Sequence, residues 1–165
     1  MARLYLPNAL LGKVSVNQVY SNDPAQFASG SVSALGDSTW SSVAPPLTAV
    51  PYAIANNLPF NLVTGFDLTD SQIYGKTSTF FFTGGQFSNQ KVLLAWSFQF
   101  IQPTIVALLT SYNAAQLAPP ADVWPPTDYD TIWTVKLDAQ GNLTVNNTMC
   151  EGIDSAALPT LPPQF

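Results

Sequence analysis

Histidine is absent from all 165 residues of this chain, and cysteine occurs once, at Cys150. Without an imidazole the protein has no histidine nucleophile, no histidine general acid or base and no histidine metal ligand. A single cysteine excludes an intramolecular disulfide and a Cys/His zinc site. Histidine-dependent catalysis is therefore excluded, and we expect neither a metal nor a cofactor.

Charged side chains are scarce, at 9% of residues with a net charge of -5. The five basic residues are scattered along the chain, at Arg3, Lys13, Lys76, Lys91 and Lys136. No cationic stripe is available to neutralise a nucleic-acid backbone or an anionic membrane, so neither is an expected partner. Apolar residues make up 47% of the chain, which predicts one folded domain over residues 1–165.

A long hydrophobic run is also missing. The first twelve residues, MARLYLPNALLG, are interrupted by Pro7 and are too short for a bilayer span or a complete secretion signal. This predicts a cytoplasmic chain. Two glycosylation sequons, at residues 142–144 (NLT) and 146–148 (NNT), would matter only in an exported eukaryotic protein, and we interpret them as chance occurrences.

Hydrophobic periodicity predicts alternating strands and helices. The apolar run at residues 91–97 (KVLLAWS) is typical of a central strand buried on both faces of a parallel sheet. Residues 101–117 have helical spacing, with Pro103 in the first turn. The other expected elements are a strand at 14–20, a helix at 47–57 after the double proline, and a hairpin of strands 131–137 and 142–146. Together they predict an α/β fold, a three-layer sandwich with a mainly parallel sheet flanked by helices.

Four segments in this order resemble the histidine phosphatase superfamily, which has the phosphoglycerate-mutase-like fold. They are RLYLPNALLGKVSVNQVYSNDP, SSVAPPLTAVPYAIANNLPFN, KVLLAWSFQFIQPTIVALL and VWPPTDYDTIWTVKL, of which the last two are the most specific. In that family a histidine of an Arg-His-Gly motif is the nucleophile, a second histidine follows a later strand in a motif like Trp-Glu-His, and arginines bind the phosphate.

The chain departs from each part of this pattern. Phe98 stands at the position that matches the second histidine, and Ser97 replaces its acidic neighbour. Ala44 stands where the resemblance places a phosphate-binding arginine. The resemblance also implies that the sequence begins after the family's first strand, which carries the Arg-His-Gly motif. The resemblance therefore implies a degenerate member without a catalytic residue.

The absent first strand lies in the middle of the family's sheet, so its loss is expected to leave unpaired backbone edges. The sheet can close up on itself, a partner chain can fill the gap, or the N-terminal segment can rearrange into it. We favour a homodimer, because few charges and many apolar side chains suit a self-complementary interface.

Two functions follow from the resemblance. The preferred one is a non-catalytic pseudoenzyme that acts through binding or self-association, with a vestigial, now hydrophobic pocket. The alternative is a repurposed enzyme that acts on a non-phosphorylated, apolar small ligand in the former phosphate cleft. The residues expected to line this pocket are Ala44, Trp96, Ser97, Phe98 and Tyr129.

Other candidate groups have simpler interpretations. The carboxylates Asp122, Asp128 and Asp130 lack the ligand spacing of a calcium loop and are expected in a solvated loop. Asp67 and Asp70 are a possible acid–base pair, but their spacing favours the cap and first turn of a helix. Among the aromatic residues, Trp133 is expected in the core.

Overall fold

The computed structural model describes residues 15–23, 39–63, 73–96, 98–117, 128 and 130–151, and for residues 39–44, 73, 98 and 99 it describes the backbone alone. Its strands are Gln18–Asn22 (β1), Phe60–Val63 (β2), Val92–Ala95 (β3), Thr131–Leu137 (β4) and Leu143–Cys150 (β5). Its helices are Thr39–Ala55 (α1), Ile73–Phe82 (α2) and Phe98–Ser111 (α3), and a short 3-10 helix spans Ala115–Leu117. The alternation of helices and strands confirms the predicted α/β class.

The first three strands form a parallel sheet in the order β2-β1-β3. The prediction of a central strand at residues 91–97 is wrong, because β3 lies at an edge of the described sheet and Leu94 is 37% exposed. The central strand is β1, whose Val19 is fully buried. None of the four residues of β3 is buried, so this apolar run predicted a strand but neither its burial nor its position in the sheet.

Helices cover both faces of this sheet. Val19 points towards α1 and packs in one buried cluster with Ala49, Tyr52 and Ala53. Tyr20, on the opposite face, meets the Phe81 ring of α2 edge-on at 5.3 Å between ring centres. Helices α1 and α2 therefore lie on opposite faces of the sheet. Right-handed connections require this, because the chain runs from β1 to β2 in one direction across the sheet and from β2 to β3 in the other. The predicted three-layer arrangement is confirmed.

Helix α1 contains three prolines, at Pro45, Pro46 and Pro51. The helix was predicted to begin only after the double proline, because a proline lacks the N–H that bonds the carbonyl four residues earlier. The structure instead starts α1 at Thr39 and carries it through all three prolines. The lost bonds are offset by burial of Pro45, Ala49 and Tyr52 under the sheet, since most helix stability in proteins comes from packing.

A second core joins α3 to the C-terminal hairpin. Leu108 and Leu109 are almost completely buried and form a cluster with Ile105, Ala114 and Leu143. Trp133 packs against this cluster, as predicted. Strand β4 spans the predicted residues, and β5 pairs with it in antiparallel register but extends to Cys150.

Asparagine ends two of the helices. Asn57 and Asn113 follow α1 and α3 with φ of 51° and 53°. After α3, the Ala114 N–H donates to Leu109 O at 2.8 Å and the Asn113 N–H donates to Thr110 O at 3.2 Å. These two bonds form a Schellman motif, in which asparagine is one of the few residues that accept the left-handed conformation.

Candidate functional site

The carboxyl ends of the three parallel strands meet at one edge of the sheet, which we call the carboxyl edge. It is formed by the last residues of the strands, with the residue that follows β1 and the residue that follows β3: Ser21, Asn22, Asp23, Val63, Ala95 and Trp96. The chain leaves β1 for β2 on one side and returns to β3 on the other, so the winding reverses between β1 and β3. In open α/β sheets this reversal is the usual place for ligands.

Buried polar side chains occur at the end of β1 and in the early turns of two helices. In the described part of the chain they are Ser21, Asn22, Thr77, Ser78 and Gln102, with exposed fractions of 0, 1, 2, 4 and 8%. Two end β1, and the others lie in the second turns of α2 and α3, whose first turns follow β2 and β3. Burying an uncharged polar group is unfavourable unless it finds a partner, so the hydrogen bonding of each of these groups matters.

Ser21 is the most unusual member of the set. Its Oγ is buried and has no hydrogen-bond partner in the described structure. Alternation from Val19 places the side chain on the α1 face, where its neighbours in register, Leu62 and Ala95, are apolar. A buried hydroxyl without a partner costs about 1–3 kcal/mol, so a partner that reaches Ser21 Oγ would be bound favourably.

The carboxyl edge is poor in positive charge. Asp23 is half-buried directly after β1 and carries a carboxylate. Lys91 lies at the opposite end of the sheet, where its N–H donates to Asn17 Oδ1 at 2.7 Å. Lys76 occupies an exposed position of α2. A phosphate site needs several fixed cations, and the six residues that form this edge include none.

Of the five residues predicted to line a pocket, the structure gives the side chain of Trp96. It is half-buried directly after β3 and meets the Phe81 ring edge-on at 6.3 Å. Ala44 lies within α1 and Phe98 begins α3, with the backbone alone described in both cases. Ser97 and Tyr129 lie outside the described residues.

An aromatic cluster behind Trp96 was not predicted. Tyr20, Phe80, Phe81 and Phe87 meet one another at 4.9 to 6.2 Å between ring centres and fill the space between the sheet and α2. The run of three phenylalanines at 80–82 is the sequence signal for it. Trp96 therefore belongs partly to core packing and contributes its remaining surface to the carboxyl edge.

The acidic residues of the predicted loop have a structural role where they are described. Asp128 Oδ1 accepts the N–H groups of Asp130 at 3.0 Å and Thr131 at 2.9 Å, which fixes the start of β4. Partial burial raises the pKa of Asp128, but the hydrogen bonds from Thr131 and Asp130 outweigh it and hold the pKa below its usual value. No cluster of metal-ligating side chains occurs in the described ranges. Asp67, Asp70 and Asp122 lie outside them.

Comparisons with known proteins add no family. No family model, no curated protein and no solved structure matches this chain. None of the helices in the described ranges has the length and hydropathy that a membrane crossing needs.

Proposed function

We propose that this chain is a non-catalytic, histidine-phosphatase-like protein that binds a small uncharged ligand at the carboxyl edge. The observation that carries the proposal is the buried hydroxyl of Ser21, which lies at this edge and has no hydrogen-bond partner among the described residues. A ligand with an apolar body and one hydrogen-bonding group suits Ser21 Oγ and its apolar neighbours in register, Leu62 and Ala95.

The same residues argue against the chemistry of the family. Phosphoryl transfer through histidine needs an imidazole nucleophile and fixed cations, and the sequence contains no histidine. At the carboxyl edge the group that follows β1 is the Asp23 carboxylate, which repels a phosphate. The resemblance to that family rests on the four segments quoted above. In the proposed function the protein binds a ligand and does not catalyse a reaction.

The test is a titration followed by NMR, with cyclohexanol as the uncharged probe and inorganic phosphate as the charged one. Cyclohexanol is expected to shift the amide signals of Ser21 and Asn22 saturably at millimolar concentration. Phosphate is expected to leave them in place. The variant Ser21→Ala should lose the response, while Ser88→Ala, at an exposed turn position, should keep it. Saturable phosphate binding, or hydrolysis of a phosphomonoester, would overturn the proposal.

A specific observation also favours self-association. Helix α1 contains no charged residue, and its Leu47 and Ile54 are 66% and 76% exposed. These residues are seven positions apart and so share one face of the helix. Copies with a net charge of -5 repel one another, and a charge-free face allows the closest approach. We assign the proposed homodimer to this face.

The sequence suggested a dimer because a missing strand was expected to leave a gap in the middle of the sheet. In the described sheet β1 pairs directly with both neighbours, so the proposed dimer rests on the outer face of α1 instead. Light scattering after size exclusion is expected to give twice the chain mass at high micromolar concentration. Ile54→Lys should give a monomer, and Leu117→Lys, at a 40% exposed position elsewhere, should not change the mass. A monomer for the unmodified chain across this range would refute the homodimer.

A further inference from the structure

The two glycosylation sequons lie in different environments in the C-terminal hairpin. Thr134 pairs with Asn146, and the next pair joins Ile132 to Met149, so β5 has one more residue than β4 in this interval. This bulge contains the second sequon. Bulges turn side chains out of the regular ladder and often mark functional positions.

Within the bulge, the first and third residues of the sequon are hydrogen-bonded to each other. Asn146 Oδ1 accepts the Thr148 N–H at 2.8 Å and the Thr148 hydroxyl at 2.7 Å. Both residues are exposed. The amide oxygen is engaged by the threonine that the sequon requires, and the amide nitrogen Nδ2, which is the atom that receives a glycan, carries no hydrogen bond within this arrangement.

The first sequon has the opposite arrangement. Asn142 Nδ2 donates to Asp138 Oδ2 at 2.9 Å, and the Asn142 N–H donates to Asp138 Oδ1 at 2.8 Å. The hydrogen bond from the Asn142 side chain, followed by the bond from its backbone N–H, holds the pKa of Asp138 below its usual value. The nitrogen that would be modified is therefore already used to build the turn between β4 and β5.

We propose that Asn146, and not Asn142, is the acceptor that this chain offers to N-linked glycosylation. The donor is a polyprenyl-diphosphate-linked oligosaccharide, and a transferase catalyses the step. Asn146 Nδ2 forms a bond to the anomeric carbon of the sugar, the bond from that carbon to the diphosphate oxygen breaks, and the lipid diphosphate leaves with the electron pair. The proton lost from Nδ2 passes to a base of the transferase.

The fold accommodates a glycan at this position. Val145 and Leu143, on one face of β5, pack against the α3 core. Asn146 is on the other face, beside the exposed Thr134 and Lys136 of β4. A glycan on Asn146 extends away from the core, so it does not oppose folding.

The experiment expresses the full chain behind a secretion leader in a eukaryotic host. Purified protein is treated with peptide N-glycosidase in H2(18)O, which converts a modified asparagine to a labelled aspartate, and peptides are mapped by mass spectrometry. The label is expected at Asn146 and absent at Asn142. Asn146→Gln and Thr148→Ala should each abolish the loss of mass on deglycosylation, and Asn142→Gln should not.

Label at Asn142 with Asn146 unlabelled, or secreted protein without any glycan, would overturn the proposal. The mapping of the unmodified chain answers the question even where a variant fails to be secreted. A glycan on the protein from its natural source would also refute the predicted cytoplasmic location, because this transfer takes place in the secretory pathway.

Discussion

Replacing Ser21 by alanine is expected to stabilise the protein, although it removes a buried side-chain atom. At most buried serines the hydroxyl is hydrogen-bonded, and its removal costs about 1 kcal/mol. Ser21 is 0% exposed and its Oγ has no partner among the described residues. Folding therefore removes the hydrogen bonds that this hydroxyl makes to water, and no hydrogen bond within the described structure replaces them. Alanine avoids a desolvation penalty of about 1–3 kcal/mol, less a small loss of packing contacts. We expect a net gain of about 1 kcal/mol.

Urea denaturation measures this difference directly. The midpoint should rise while the slope of the free energy with urea stays unchanged, because the surface exposed on unfolding is the same. In a thermal melt the gain corresponds to about 2–4 °C for a domain of this size. Ser111→Ala is the matched control, since Ser111 is exposed and its hydroxyl donates to Ala107 O at 2.9 Å. That variant should change stability by less than about 0.5 kcal/mol.

A loss of about 1 kcal/mol or more in Ser21→Ala would refute the reasoning, because it would mean that the hydroxyl is paired in the folded protein. A gain in stability combined with a lost response to cyclohexanol would instead show the trade-off typical of binding sites, where a group is kept for its ligand at the expense of the free protein.

Three further predictions test the framework of the fold. Asn113→Ala should lower the free energy of unfolding by about 1 kcal/mol and Asn113→Gly should not, because φ is 53° at this position and glycine accepts it more readily than alanine. Urea denaturation compares the two variants, and equal losses of stability would contradict the prediction. In the same assay Leu109→Ala should lower the free energy of unfolding by about 2–5 kcal/mol, because Leu109 is fully buried. Leu117→Ala should change it little, because Leu117 is 40% exposed. Asp128→Ala should destabilise the protein at neutral pH. The lowered pKa means that this carboxylate stabilises the fold above its unfolded pKa, of about 3.9, and ceases to do so as the pH falls through the folded value, so melts of both proteins should converge in acid.

Local pattern was sufficient for the C-terminal hairpin. Alternation over Thr131–Leu137 and the turn residues from Asp138 to Gly141 predicted β4 to the residue and the antiparallel β5 after it. The signal is strong because every contact involved is close in sequence. Composition alone also excluded histidine chemistry, since no fold can supply an absent imidazole.

Tertiary structure decided the rest, because the relevant contacts join distant parts of the chain. Strand β1 is central only because β3, more than seventy positions later, pairs along it: the Lys91 N–H donates to Asn17 Oδ1 across 74 residues. Helix α1 continues through three prolines because the sheet buries one of its faces, which no propensity predicts. The unpartnered hydroxyl of Ser21 was likewise invisible in the sequence, since a serine becomes a buried orphan only when α1, Leu62 and Ala95 surround it with apolar groups.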